Sequence, residues 1–198
     1  MKTHPCTRLF GLLAAAALAS CASPPESTRM PVSATIRPDT AATSPARGDK
    51  STSGRLFDAV NDYRLSQGAQ PVERHADLDR LAQQHCEYLR RNRGTFSLYG
   101  KNVSHFGFEG RAVAAREILQ MSSVSENVAA ANYPGSNSSG VIVELWKQSK
   151  DHHKNMTDDW THSGIGVVTD SDGMVFATQL FATKNYSHMT MRDRMNSF

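Results

Sequence analysis

Three short segments concentrate the side chains that could do chemistry. They are Ser104-His105-Phe106-Gly107-Phe108, Ser125-Glu126-Asn127-Val128 and the run from Trp146 to Met156, which carries His152 and His153. Imidazole and carboxylate groups can ligate a divalent cation or act as general bases within reach of a substrate proton. The chain has no His-Glu-x-x-His signature, and no side chain reads as an activated nucleophile. Cys86 adjoins His85, but neighbours one residue apart on a helix do not face each other, which makes a poor Cys–His pair. The acidic run Asp170-Ser171-Asp172-Gly173 lacks the later Glu of a calcium loop and reads as a plain turn.

The elements that must position these groups follow from apolar spacing. Leu56, Val60 and Tyr63 predict a helix that stops near Gly68. Leu78, Leu81, Ala82, His85, Cys86 and Leu89 mark one stripe of a second helix, with Asp77 placed to cap its first turn. His85 and Cys86 are thus expected in the core. A shorter helix is expected between Gly107 and Leu119, and a short strand, or the loop entering one, over Ser125 to Ala130. Val141, Ile142, Leu145, Trp146 and Ser149 mark a further helix face, with Trp146 as core. Gly164 to Thr169 and Met174 to Ala182 predict a β-hairpin around the acidic turn. Helices first and a hairpin last imply an α+β fold of layered α-β-α type. His153 is expected to face solvent, His162 is left unplaced, and Asn127 and Asn155 are expected to tie loops together.

The N-terminus reads differently. Lys2 and Arg8 precede an apolar run from Leu9 to Ala19, about half of what a bilayer span needs, as in a secretory signal over residues 1–20. It ends in Leu18-Ala19-Ser20-Cys21, which resembles a bacterial lipobox, and Cys21 is the expected lipid attachment point. Ala22 follows where an inner-membrane retention signal would have Asp, which favours the outer membrane. Residues 21–53 are rich in Pro, Ser, Thr and Ala and read as a lipidated, disordered tether, with a reach on the order of 30 Å. A domain is expected over residues 54–184 and a C-terminal tail over 185–198. Beyond the signal, 20 basic side chains face 19 acidic ones, a balance that argues against nucleic acid as a partner. With Cys6 in the signal and Cys21 lipidated, Cys86 alone cannot form an intramolecular disulfide.

Taken in order, Val60-Asn61-Asp62-Tyr63-Arg64, His105-Phe106-Gly107, Glu126-Asn127-Val128, Trp146 to Asn155 and Gly164-Ile165-Gly166-Val167 resemble the motifs of the CAP (SCP-like) superfamily, bacterial branch. The resemblance runs from about residue 55 to 183. It implies a three-layer α-β-α sandwich with a small, mainly antiparallel sheet and a shallow cleft. In the animal branch two His and two Glu line that cleft and can hold a divalent metal. His105 corresponds to the first His, Glu126 to one Glu and His152 to the second His. Ser149 stands where the animal branch has its other Glu, and Asp151 replaces the usual Gly before the His, at a turn where Asp tolerates a left-handed conformation.

Two imidazoles and a carboxylate are a ligand set suited to zinc or another divalent cation, with a position open for water. The same trio could instead bind a small ligand directly, place a general base, or form a structural hydrogen-bond network. The resulting expectation is an envelope-tethered binding module whose His105, Glu126 and His152 hold a small ligand, lipid or peptide, with or without metal. The alternative is a metal-dependent, peptidase-like hydrolase of the cell envelope.

Overall fold

The computed structural model describes residues 51–96, 103–132 and 137–184. The expected signal, its Cys21, nearly all of the tether and the C-terminal tail lie outside the described residues.

Helix α1 (Thr52–Ser66) is capped by Ser51, whose Oγ accepts a hydrogen bond from the Gly54 amide at 3.0 Å. It begins two residues before the boundary expected at 54. Its inner face buries Leu56 and Val60, and with them Arg64. That arginine is affordable inside because its guanidinium satisfies carbonyls: Nε donates to Gln70 O at 2.8 Å and Nη1 to Asp158 O at 3.0 Å. Asn61 exchanges two hydrogen bonds with the Val72 backbone, at 2.9 and 3.0 Å. The opening motif is therefore a structural clasp.

After the two-residue strand β1 (Glu73–Arg74) comes helix α2 (Ala76–Arg91), which buries Leu78, Leu81, Ala82, His85, Cys86 and Leu89 as their spacing predicts. Its cap is His75, whose Nδ1 accepts from the Asp77 amide at 3.3 Å; Asp77 instead sits in the first turn, where its charge favours the helix dipole. Helix α3 (Phe108–Glu117) follows. Strand β2 (Met121–Asn132) is twice the length of the segment expected at Ser125 to Ala130.

Helix α4 (Ser138–Gln148) is followed directly by α5 (Lys150–Thr157), a helix that apolar spacing misses because only Met156 of its residues is buried. His152 therefore rides on a helix rather than a loop. Asp151 occupies the first turn of that helix and has no left-handed conformation. Strands β3 (His162–Thr169) and β4 (Met174–Lys184) form the expected hairpin.

The four strands lie in the order β1-β3-β4-β2. The β1–β3 pair is parallel and the other two pairs are antiparallel. Alternation along β4 separates two cores. Ala177 and Phe181 pack with Leu56, Val60, Ile142, Trp146 and Met156 of α1, α4 and α5. Phe176, Leu180 and Ala182 face the opposite way, against α2 and α3. The result is an α+β fold in three layers, helices on both faces of a small mixed sheet.

Gly164 and Gly166 make the α2 layer possible. A Cβ at Gly164 would lie 2.2 Å from Leu78 C, and one at Gly166 would lie 2.3 Å from the Gln83 amide nitrogen. Only glycines let the helix backbone lie directly on the strand. Asp79 and Gln83 then accept hydrogen bonds from the Ile165 and Val167 amides, at 2.7 and 3.0 Å. They cap donors of β3 that no strand covers there.

Candidate functional site

The site forms where β2 runs along the edge of the sheet. Successive strand residues point to opposite faces, so Glu126 enters the α2/α3 layer while Asn127 enters the α4/α5 layer. The Glu126 side chain is only 1 % exposed. A carboxylate so buried must be paired, and its partner is Arg111 of α3. Arg111 Nε donates to Oε2 at 2.7 Å and Nη2 to Oε1 at 2.9 Å, a bidentate pair. His105 Nδ1 is 2.8 Å from the same Oε1. Burial alone would push the Glu126 pKa up. The hydrogen bonds from His105 and Arg111, with the guanidinium charge, outweigh it and hold the carboxyl below its ordinary value.

Behind the carboxylate lies His85. Its side chain is fully buried, its Nδ1 is 3.0 Å from Thr178 Oγ1 and 3.9 Å from Glu126 Oε2. Burial, with the nearby Arg111 charge, pushes its pKa down to about 3, so it is neutral at ordinary pH and no ion pair forms with Glu126. Cys86 is equally buried. Its sulfur lies 3.2 Å from Gly166 O, and desolvation raises the thiol to about 12, which rules it out as a ready nucleophile.

On the other face, Asn127 Nδ2 donates to the His152 carbonyl at 3.1 Å. Asn155 Nδ2 reaches both Glu126 O, at 3.3 Å, and Asn127 Oδ1, at 3.0 Å. The two asparagines thus fasten α5 to β2. Ser149 caps α5 by accepting from the His152 amide. The outcome is that the His152 ring meets the His105 ring around the strand edge, with centroids 6.2 Å apart and planes at 51°. The His105 side chain is 43 % exposed and His152 is half-buried. Burial first, and then the proximity of His105, lower the His152 pKa and favour its neutral, lone-pair form.

The structure therefore brings His105, Glu126 and His152 into one neighbourhood, but gives them unequal parts. Both Glu126 oxygens are taken up by Arg111 and His105. Among the described residues, no group of three or more His, Cys, Asp or Glu is arranged to hold a metal ion. What faces outward is a pair of imidazoles, one of them oriented by a buried carboxylate. Such a carboxylate–histidine pairing is a usual outer support of a metal-ligating imidazole.

Sequence reasoning missed two members. Arg111 sits in a helix whose pattern shows only alanines and Leu119, and His85 reads as plain core. A buried Glu without a visible partner was the one signal for Arg111, since it demands a cation. His153, expected in solvent, is half-buried, with Nδ1 2.9 Å from Tyr63 Oη. His162 lies at the start of β3, with its ring 5.8 Å from that of His75 and its Nε2 3.5 Å from Glu73.

The model of the cysteine-rich secretory protein family matches residues 57–181. Among solved structures, an outer surface protein from Borrelia burgdorferi is similar with a TM-score of 0.53 at 17% identity, over 66% of this chain and 90% of that one. An extracellular protein containing an SCP domain from Bacillus anthracis gives 0.48 at 20% identity, over 67% of this chain and 40% of that one. A cysteine-rich secretory protein from Staphylococcus aureus gives 0.49 at 17% identity, over 67% and 39%. This chain thus spans about two-fifths of the last two proteins. At these identities the likeness speaks for the fold alone. None of the curated proteins matches the sequence significantly.

Proposed function

The chain belongs to the cysteine-rich secretory protein (CAP) family, and from that premise we propose that it is a binding module of the bacterial envelope, tethered by lipid at Cys21, whose imidazole pair holds a small ligand, lipid or peptide. The observation that supports this reading most directly is the outward-facing pair His105 and His152, one ring backed by the buried Glu126–Arg111 pair. Two imidazoles supply part of a zinc shell, and the remainder would come from water or from the ligand's own oxygens. Bound there, a divalent cation supplies Lewis acidity towards such oxygens. Glu126 orients His105 and is no free third donor, so cation binding at this site is weaker than in a closed three-ligand centre. Both Glu126 oxygens are taken by Arg111 and His105, so this carboxylate is not free to serve as a general base, which favours binding over catalysis. The lipobox-like run before Cys21, and a similar fold described as an outer surface protein, support the envelope as its address.

A zinc titration by calorimetry tests the site, with the wild-type chain beside His105→Ala/His152→Ala. Heat of binding in the wild type and none in the folded variant is the expected result. No binding in either removes the cation and leaves direct ligand binding as the role to be tested. For the anchor, Cys21→Ser is expected to move the protein from the membrane to the soluble fraction. Retention of that variant in the membrane would sink lipidation at Cys21 as the tether.

A further inference from the structure

We propose that Arg111 is the positioning residue of this site. By gripping Glu126 through both oxygens and the Phe106 carbonyl through its third nitrogen, it makes His105 turn an Nδ1–H to the carboxylate and a bare Nε2 to the cleft. The binding role proposed above is needed only for what that Nε2 goes on to hold.

The geometry carries the argument. Nε and Nη2 of Arg111 make the parallel fork to Glu126 at 2.7 and 2.9 Å, which fixes the carboxylate in its own plane. Nη1, the remaining nitrogen, donates to Phe106 O at 3.0 Å. The Phe106 amide donates to Ser104 Oγ at 3.1 Å, so both the N–H and the carbonyl of the residue that follows His105 are hydrogen-bonded. One guanidinium therefore fixes both the acceptor of the His105 hydrogen bond and the chain that carries its donor.

The proton follows from the inventory of groups. Glu126 receives the bidentate fork of Arg111, in which both of its oxygens are acceptors, so the hydrogen in the 2.8 Å contact is assigned to His105 Nδ1. A neutral imidazole with hydrogen on Nδ1 has its lone pair on Nε2. Among the described residues, nothing hydrogen-bonds that nitrogen. Without Arg111 the carboxylate, 1 % exposed, would lose its in-plane restraint and its counter-charge together. Lysine cannot substitute, because one ammonium offers no rigid three-way fork.

The test is nitrogen NMR of the His105 ring in the whole chain at about pH 8, above the ordinary imidazole pKa, in wild type, Arg111→Met and Arg111→Lys. Zinc calorimetry is run beside it. Expected are a single Nδ1–H tautomer in the wild type, mixed tautomers in both variants, and a loss of zinc affinity of about 10–100-fold. A wild-type tautomer signature in a folded Arg111→Met protein would overturn the proposal. If that variant does not fold, the same signature in Arg111→Lys overturns it. A fixed tautomer in a wild-type chain that binds no zinc sinks the cation reading and supports the positioning role. Zinc binding by a wild-type chain with mixed His105 tautomers does the reverse.

Discussion

His105 and His152 belong to opposite layers of the sandwich, yet their ring centroids lie 6.2 Å apart around the edge of β2. His105 is fixed from the α3 side through Glu126, and His152 from the α5 side through Asn127 and Asn155. Glu126 and Asn127 are neighbours on one strand, so the alternation of β2 sets both halves of the site at once. A slip of that strand by one residue against β4, where Glu126 is paired with Leu180, would exchange the two faces and dismantle both supports.

The Glu126–Arg111 pair sets the first expectation. Removing one partner of a buried, hydrogen-bonded ion pair strands the other charge, a cost of about 3–5 kcal/mol. Glu126→Ala is expected to lose that much in urea unfolding, and Glu126→Gln less, because its amide oxygen still accepts hydrogen bonds. A loss below ~1 kcal/mol in Glu126→Ala would show that the pair contributes little to the fold.

Acid sensitivity follows from His85. Its pKa falls from the ordinary 6.5 to about 3 on folding, chiefly through burial. Between those values the unfolded chain binds the proton and the folded chain does not, so stability rises with pH across that window. It is full above about 6.5 and lost progressively as the pH falls towards about 3. His75, His152 and His162, all lowered first by burial, act in the same direction, and the depressed Glu126 adds a further loss once the pH drops below its unfolded value. His85→Asn, which keeps a hydrogen-bonding group near Thr178, is expected to flatten the fall in Tm between about pH 7 and about pH 4.5. An unchanged slope in that variant would place the sensitivity elsewhere.

Cys86 gives a clean probe of opening. With its thiol buried and raised to about 12, it is expected to react with a thiol reagent only through unfolding. In a Cys6→Ser/Cys21→Ser chain the labelling rate should climb with urea in step with the unfolded population. Fast labelling in native buffer would contradict the packing of α2 against β3.

Gly166→Ala tests the contact between that helix and that strand. The added Cβ would fall 2.3 Å from the Gln83 amide nitrogen, which is backbone and cannot swing aside. Overpacking of this kind costs typically about 1–3 kcal/mol. The loss should be seen as a lower urea midpoint, with the hydrogen bond from Val167 N to Gln83 weakened. A variant as stable as wild type would mean that α2 can lift from β3 without cost.

The reach of the sequence is clearest on α2. Six apolar-stripe positions at helical spacing predict a buried face, and all six are buried, because a 3.6-residue period leaves one solution for a helix lying on a sheet. The hairpin at Asp170 to Gly173 is legible for a similar local reason. Helix α5 is not, since it is held by the Ser149 cap and the Asn155 side chain rather than by an apolar stripe. The cap on α2 is His75 and not Asp77, a choice made by where the chain leaves β1.

For the site, residue types and the motifs' resemblance to a known family single out His105, Glu126 and His152 as the groups able to do chemistry. Only the tertiary structure decided that the partner is Arg111, that His85 stands behind it, and that Glu126 is an acceptor within the frame. The reason is physical: periodicity records which face of an element is apolar, whereas which charges meet depends on how α3, the 105–107 segment and α5 converge on one edge strand.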